Sequence, residues 1–230
     1  MTVDEGDLVA AASELGGRGE APRTGSDDGD PHEAHVTGED GRMTDQPPVT
    51  VPGPDASVRR ARPADTDAVA SLTLASWRAQ PAELLPPGGL ETVSLDDLAH
   101  DWLDAVSAPP SRRHVVLVAL EGDRVVGYAL AAPSQDPDAA PDGTSCELVD
   151  LVVDDERARV GHGSRLLAAV VDTLREAGAS ELLAWVAVGD DARLAFLASA
   201  GMAADGASRT LGGGPGAAVL RQVRWSARID

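Results

Sequence analysis

Gly161 and Gly163 stand two apart between an aliphatic run and a stretch of helical periodicity. The run before them, Cys146–Val153 (CELVDLVV), is largely β-branched and aliphatic, which suits a buried strand. After them Leu166, Leu167, Val170, Val171 and Leu174 recur at helical spacing, and Gly178 closes the helix. Glycine has no Cβ, so a ligand can approach its backbone closely. The first amides of a helix lack intrahelical partners, and the macrodipole there favours negative charge. A strand, a Gly-x-Gly turn and a helix N-terminus together form a seat for a phosphate or pyrophosphate. Plain chain reversal uses the same residue types, so the pattern alone leaves both readings open.

Other phosphate chemistries can be tested on the letters. The dinucleotide fingerprint needs a third glycine three residues after Gly163, where Leu166 stands. The P-loop needs a lysine, and the chain has none. That absence also excludes a pyridoxal-phosphate Schiff base and a lysine nucleophile. Cys146 is the single cysteine, so no intrachain disulfide forms and a cytoplasmic location is expected. Inside an apolar strand it reads as a small core residue rather than a nucleophile. His32 and His35 (HEAH) lack the HExxH spacing of a metalloprotease pair, and no metal is expected.

The elements that must position the turn follow from composition and periodicity. The chain has 230 residues and a formal net charge of -19, enough for one domain and a tail. Such a negative body is repelled by phosphates, which argues against nucleic acid and anionic membranes as partners. No apolar run is long enough to span a bilayer. The bias toward Ala, Gly, Arg, Pro and Val without lysine suggests GC-rich coding and a bacterial source. Residues 1–56 are acidic and rich in Pro and Gly, without periodicity, and read as a disordered tail ahead of a domain at 57–230. A purine-rich coding run before Met43 would make that residue an alternative start.

Within the domain, Val58–Pro63 reads as a short edge strand, and Asp65 or Thr66 caps a helix ending near Trp77. Ser94 with Asp97 caps a second helix carrying Leu95, Leu98, Trp102 and Val106. His114–Leu120 and Arg124–Ala131 form a hairpin around Gly122, and residues 133–144 form a polar, mobile loop able to cover a site. After the glycine turn and its helix come a strand at Ser180–Val188, a short helix at Asp190–Ala200 and a final strand at Ala217–Ala227. The order describes a mixed sheet with helices on both faces.

Several blocks resemble the GNAT superfamily of acetyl-CoA-dependent N-acetyltransferases. Val58–Asp67 is similar to its first strand and helix start, and Ala75–Ala79 followed by Leu85-Pro86 to an "SWRA…LLP" signature. Val125–Tyr128 resembles the third strand, Cys146-Glu147-Leu148 a Gly-Glu-Leu element, and Asp190–Met202 the "NARARAFYERLGF" block. Asp205-Gly206 and Val223–Trp225 resemble the C-terminal strands. The resemblance implies an α/β fold with a mixed, mostly antiparallel sheet of about six to seven strands, splayed at the central strand.

It also implies acetyl-CoA as acyl donor and an amine of a small molecule or peptide as acceptor, in a monomer or homodimer. Leu151, Val152, Val153, Arg159, Val160, Gly161, His162, Gly163, Ser164 and Asp190 become the expected cofactor contacts. The pyrophosphate loop aligns with Ala158–Gly163, with Ala158 where the family has Arg or Gln. The attacking amine must be neutral, so a base is required; Glu147 is the first candidate and Asp150 the second. Three apart in one strand, they face opposite ways if it is regular, and the family's β-bulge leaves that open. The tyrosine that commonly protonates the departing thiolate is replaced by Leu197, and Tyr128, Ser199 or water stands in for it. A tyrosine restored there is expected to raise the rate or leave it unchanged. A domain that binds acyl-CoA as a sensor without turnover is the alternative reading.

Overall fold

The computed structural model describes residues 56–80, 90, 93–140, 142–211 and 219–230. The expected tail falls outside the described residues except for Ala56, as do residues 217 and 218 of the expected last strand.

Seven strands form one sheet in the order β1-β2-β3-β4-β5-β7-β6. They are β1 (Ala56–Arg60), β2 (Val115–Glu121), β3 (Arg124–Pro133), β4 (Ser145–Val153), β5 (Glu181–Ala187), β6 (Ala203–Leu211) and β7 (Leu220–Arg228). Every pairing is antiparallel except β4 with β5. A parallel pair needs a long crossover, and α3 (His162–Glu176) supplies it. The other helices are α1 (Thr66–Arg78), α2 (Leu95–Ser107) and α4 (Asp191–Ser199).

The helices divide between the faces, as the sequence implies. On the first face Leu166, Leu167, Val170 and Leu174 of α3 and Leu197 of α4 pack on Val115, Ala129, Leu148 and Val186. On the second face Val69 and Leu74 of α1 and Leu98 and Trp102 of α2 pack on Val118, Tyr128 and Leu130. β2, β3 and β4 contribute to both sets, and β2 alternates between them, which is why it is apolar almost throughout.

Local signals explain most boundaries. Ser94 caps α2 by accepting from the Asp97 amide at 3.4 Å. Gly178 ends α3 at φ 79, and the Ala179 amide reaches back to the Leu174 carbonyl at 2.9 Å. The expected cap of α1 is different. The Asp65 carboxylate accepts from Arg59 at 2.6 and 2.9 Å and from the Arg62 amide at 2.7 Å, tying α1 to β1 instead of capping it. The Arg59 guanidinium holds that carboxyl below its ordinary range. β6 is a strand that the sequence pattern did not separate. It contains Asp205, Gly206 and Ser208, most of it is exposed, and its register slips around Gly206 at φ 90. Only its pairing with β7 makes it a strand.

The loop at 133–144 is tied down at several points. Asp136 pairs with Arg224, the Ala140 amide donates to Ser145 Oγ, and Arg113 donates to the Gly143 carbonyl. No helix among the described residues is long and apolar enough to cross a membrane.

Candidate active site

β4 is the strand that organises the site, and its bulge decides which way its carboxylates face. It pairs with β3 along its length, but Leu130 opposes Asp150 while Ala131 opposes Leu148, so Val149 is an extra residue. Cys146 and Leu148 point to the first face, and after the bulge so do Leu151 and Val153. Val149 and Val152 pack on the second. The interruption reverses the alternation, so Glu147 and Asp150 share the second face; the opposite-face geometry of a regular strand does not hold.

Asp150 sits at the end of a buried polar chain. Tyr128 is fully buried, and its hydroxyl donates to Asp150 Oδ2 at 2.6 Å. Thr73 Oγ1 lies 3.0 Å from the phenol oxygen and 2.8 Å from the Val69 carbonyl, and it accepts from Trp102 Nε1 at 3.2 Å. One hydroxyl proton serves one acceptor at a time, so Thr73 donates either to Val69 or to Tyr128. Asp150 Oδ1 accepts the Leu151 amide at 2.8 Å. Burial first, then the Asp150 charge, pushes the Tyr128 phenol well above its ordinary value, so it stays protonated.

β4 and β5 part early. Only Ser145, Cys146 and Glu147 pair with Glu181, Leu182 and Leu183; from Ala184 onward β5 is paired with β7 alone. The segment Leu148–Val153 therefore has a strand on one side and an opening on the other. Arg193 of α4 reaches toward this opening, with Nη1 3.5 Å from the Leu151 carbonyl. That distance is long for a hydrogen bond and leaves the carbonyl weakly satisfied.

Beyond Val153 lies the glycine turn. Asp154 fixes its start by accepting from Arg124 at 2.8 Å and from the Glu156 amide at 3.1 Å. Arg157 pairs with Glu121 at 3.3 Å. Two residues then take left-handed backbone, the exposed Arg159 at φ 61 and Gly161 at φ 92. Gly161 is the N-cap of α3, and a left-handed residue followed by helical ones turns successive amides into one concavity. The first helical bond runs from the Arg165 amide to the Gly161 carbonyl, so the amides of His162, Gly163 and Ser164 have no helical acceptor. No acidic residue occupies this first turn.

Gly161 and Gly163 differ in what the fold asks of them. Gly161 needs its positive φ. A Cβ at Gly163 would meet Phe196 at 3.6 Å and Leu151 at 3.7 Å, ordinary contact distances, so packing does not demand glycine there. The His162 side chain is buried beneath the turn, and its Nε2 has no partner among the described residues. Burial lowers its imidazole below the ordinary value, against the pull of Glu121.

The second face continues past Glu147 into residues of β5, β6 and β7. The register makes the connection: Glu147 pairs with Leu183, Trp185 two residues on pairs with Arg224, and Gln222 pairs with Arg209. Paired residues share a face, so Glu147, Trp185, Arg224, Gln222 and Arg209 form one surface. Arg224 is held by Asp136 at 2.9 Å and Asp205 at 2.7 Å. Arg209 lies over the Trp185 ring at 4.3 Å and donates through Nε to Gln222 at 2.7 Å. Burial raises the Glu147 carboxyl above the usual carboxylate range; Arg209 opposes the rise and Asp136 adds to it. Four separate elements supply this surface, so spacing along the chain carries no trace of it.

The remaining expected residues find other duties. Asp190 caps α4, accepting the Arg193 amide at 3.0 Å. Leu197 is fully buried in the first-face core, where it serves packing. Ser199 is exposed and donates to the Phe196 carbonyl of its own helix at 2.7 Å. Cys146 is buried, and burial raises its thiol.

The antiparallel sheet with one parallel seam thus parts beside its bulged central strand, which leads into a glycine turn at a helix N-terminus. The chain belongs to the Acetyltransferase (GNAT) family, whose profile matches residues 74–202. It is 28% identical over 130 residues to the uncharacterized N-acetyltransferase YuaI of Bacillus subtilis, covering 56% of this chain and 70% of that protein. Among solved structures it is similar to yncA, a putative acetyltransferase of Salmonella typhimurium with its cofactor acetyl-CoA. That likeness has a TM-score of 0.60 at 21% identity, covering 76% of this chain and 95% of that one. A ribosomal-protein-alanine N-acetyltransferase from Brucella melitensis gives 0.60 at 24% identity, covering 75% and 99%. A phosphinothricin acetyltransferase from Sinorhizobium meliloti in complex with acetyl-CoA gives 0.58 at 20% identity, covering 76% and 88%.

Proposed function

We propose that the protein moves an acetyl group from acetyl-CoA to an amine of a small molecule or peptide by direct attack on the thioester. The observation that carries this reading is the open side of β4 leading to the turn at Gly161 and Gly163. An extended pantetheine arm fits beside Leu151, Val152 and Val153, along the edge of β4 that β5 leaves open. A pyrophosphate fits the amides of Val160 to Ser164, with the exposed Arg159 able to neutralise it. Asp190 contributes by fixing the start of α4.

The acceptor amine approaches on the second face. Glu147 takes its proton directly or through one water, and its raised pKa makes it a stronger base than an ordinary carboxylate. Asp150 is the second candidate; its bond from Tyr128 already occupies one oxygen. The neutral nitrogen attacks the thioester carbon, a C–N bond forms, and an amide on the open edge of β4 receives the oxyanion. The C–S bond then breaks, the thiolate leaves, and the nitrogen sheds its second proton through water to that thiolate, leaving the amide and the free thiol. An ordinary thiol has a pKa of about 8.5, so water suffices to protonate it without a tyrosine at Leu197.

Calorimetry with acetyl-CoA, followed by free-thiol release with a panel of amines, tests the reading. Tight binding and amine-dependent release are expected. Binding with no release from any amine would favour a sensor, and no binding would overturn the proposal.

A further inference from the structure

We propose that the acceptor carries a carboxylate as well as its amine, and that Arg209 receives it. The amine of such an amino acid, or other amino-carboxylate, meets Glu147 while its carboxylate lies along the free edge of the guanidinium over Trp185. This inference rests on the acyl-transfer reading above.

The two arginines of the second face are in different states. Arg224 has two carboxylates, at 2.9 and 2.7 Å, and its side chain is 13% exposed. Arg209 is half-buried, yet no carboxylate lies within 4.0 Å of it among the described residues. Its hydrogen bond goes through Nε to the neutral amide of Gln222, and among the described residues neither Nη group has a protein acceptor. A guanidinium half drawn out of water with no carboxylate in contact is costly, and the ring face and the more distant Glu147 and Asp136 offset only part of that cost. The ring beneath it adds a donor of its own, since Trp185 Nε1 is buried with no partner among the described residues. A half-buried guanidinium with no carboxylate in contact, stacked on an indole whose N–H has no partner among the described residues, suits an anion.

The charges around them select which anion. Glu147, Asp136 and Asp205 share this surface, with Arg224 bound to two of them. A phosphate dianion would meet that negative field at twice the charge of a carboxylate. A carboxylate is planar and matches the two-pronged edge of a guanidinium. Glu147 and Arg209 lie close enough for each to influence the other's ionisation. A zwitterion, with its cation toward one and its anion toward the other, complements both.

The test compares matched acceptors, namely phenylalanine with phenethylamine and leucine with isoamylamine, plus the two methyl esters, by thiol release from acetyl-CoA. The native protein is expected to show a kcat/KM for the carboxylates at least about tenfold above their matched amines. Arg209→Gln lowers that ratio at least about tenfold, and Arg209→Lys restores part of it. Acetyl-CoA affinity, measured on each variant, certifies its fold. A native ratio near one, a ratio that Arg209→Gln leaves unchanged, or a protein that binds acetyl-CoA and accepts none of these compounds overturns the inference while the donor site stands. Failure of the native protein to bind acetyl-CoA overturns both readings together.

Discussion

Glu147 and Asp150 lie on one face of the sheet because Val149 is an extra residue between them, opposed by nothing on β3. The bulge gives the central strand two carboxylates on the side that α1 and α2 leave partly uncovered. Their surroundings then separate them: Glu147 faces two arginines and a tryptophan, while Asp150 closes a hydrogen-bonded chain through Tyr128 and Thr73.

Glu147→Gln is expected to lower kcat by ~10²–10⁴-fold, the usual contribution of a general base. Since burial raises this carboxyl, the native rate should climb with pH through a value above the ordinary carboxylate range, and the glutamine variant should lose that limb. Asp150→Asn, which can still accept the Tyr128 hydroxyl, should cost less than about tenfold. Rate profiles of the three proteins decide the assignment, and an unchanged acid limb in Glu147→Gln would move the role to Asp150.

Gly163→Asp separates the turn's ligand role from its structural one. An acidic residue in the first turn of α3 favours the helix, and the Cβ has room, so the melting temperature should hold. A carboxylate about 4 Å from a pyrophosphate charge repels it by roughly 4 kcal/mol at an effective dielectric near 20, which is two to three orders of magnitude in affinity. Calorimetry reads the difference directly.

Leu197→Tyr should destabilise the protein by about 1–3 kcal/mol, because a fully buried leucine gives way to a larger, polar ring. No gain in turnover accompanies it. Urea unfolding beside the rate assay checks both, and a faster, undiminished variant would mean that the side chain reaches the reacting atoms after all.

His162 ties stability to pH. Its folded pKa is lowered by burial, with Glu121 opposing and Arg165 and Arg157 adding to the drop. Above about pH 6.5 both states are neutral and the contribution is complete; below it the unfolded chain binds the proton first and stability falls. Between about pH 7.5 and about pH 5.5 the native melting temperature should drop further than that of His162→Leu. Parallel slopes for the two proteins would count against this account.

Much of this was readable in the letters, and the parts that were not share one cause. The strand at Cys146–Val153, the turn at Gly161–Gly163 and the periodic helix behind it are local, each fixed by residues within a few positions. The shared face of Glu147 and Asp150 depends on how β3 aligns with β4, which the alternation of either strand alone leaves open. β6 is mostly exposed and holds Gly206, so its residues show no apolar alternation, and only the resemblance at Asp205-Gly206 points to a strand there. Trp185, Arg209 and Arg224 come from β5, β6 and β7 and meet only across the finished register. Asp65 has the right type and place for a helix cap, but an arginine six residues back competes for it and wins.

The early parting of β4 and β5 also leaves a mark that isotopes can read. Inside a ladder, an amide proton is released only when neighbouring strands unzip together. The Leu151 amide has a different restraint, the side chain of the residue just before it. A rotation of one carboxylate frees it, so in deuterated water this proton is expected to exchange orders of magnitude faster than those of β2, and to slow sharply once an acyl donor lies along the open edge. The strand thus carries its own occupancy reporter at the peptide group between Asp150 and Leu151.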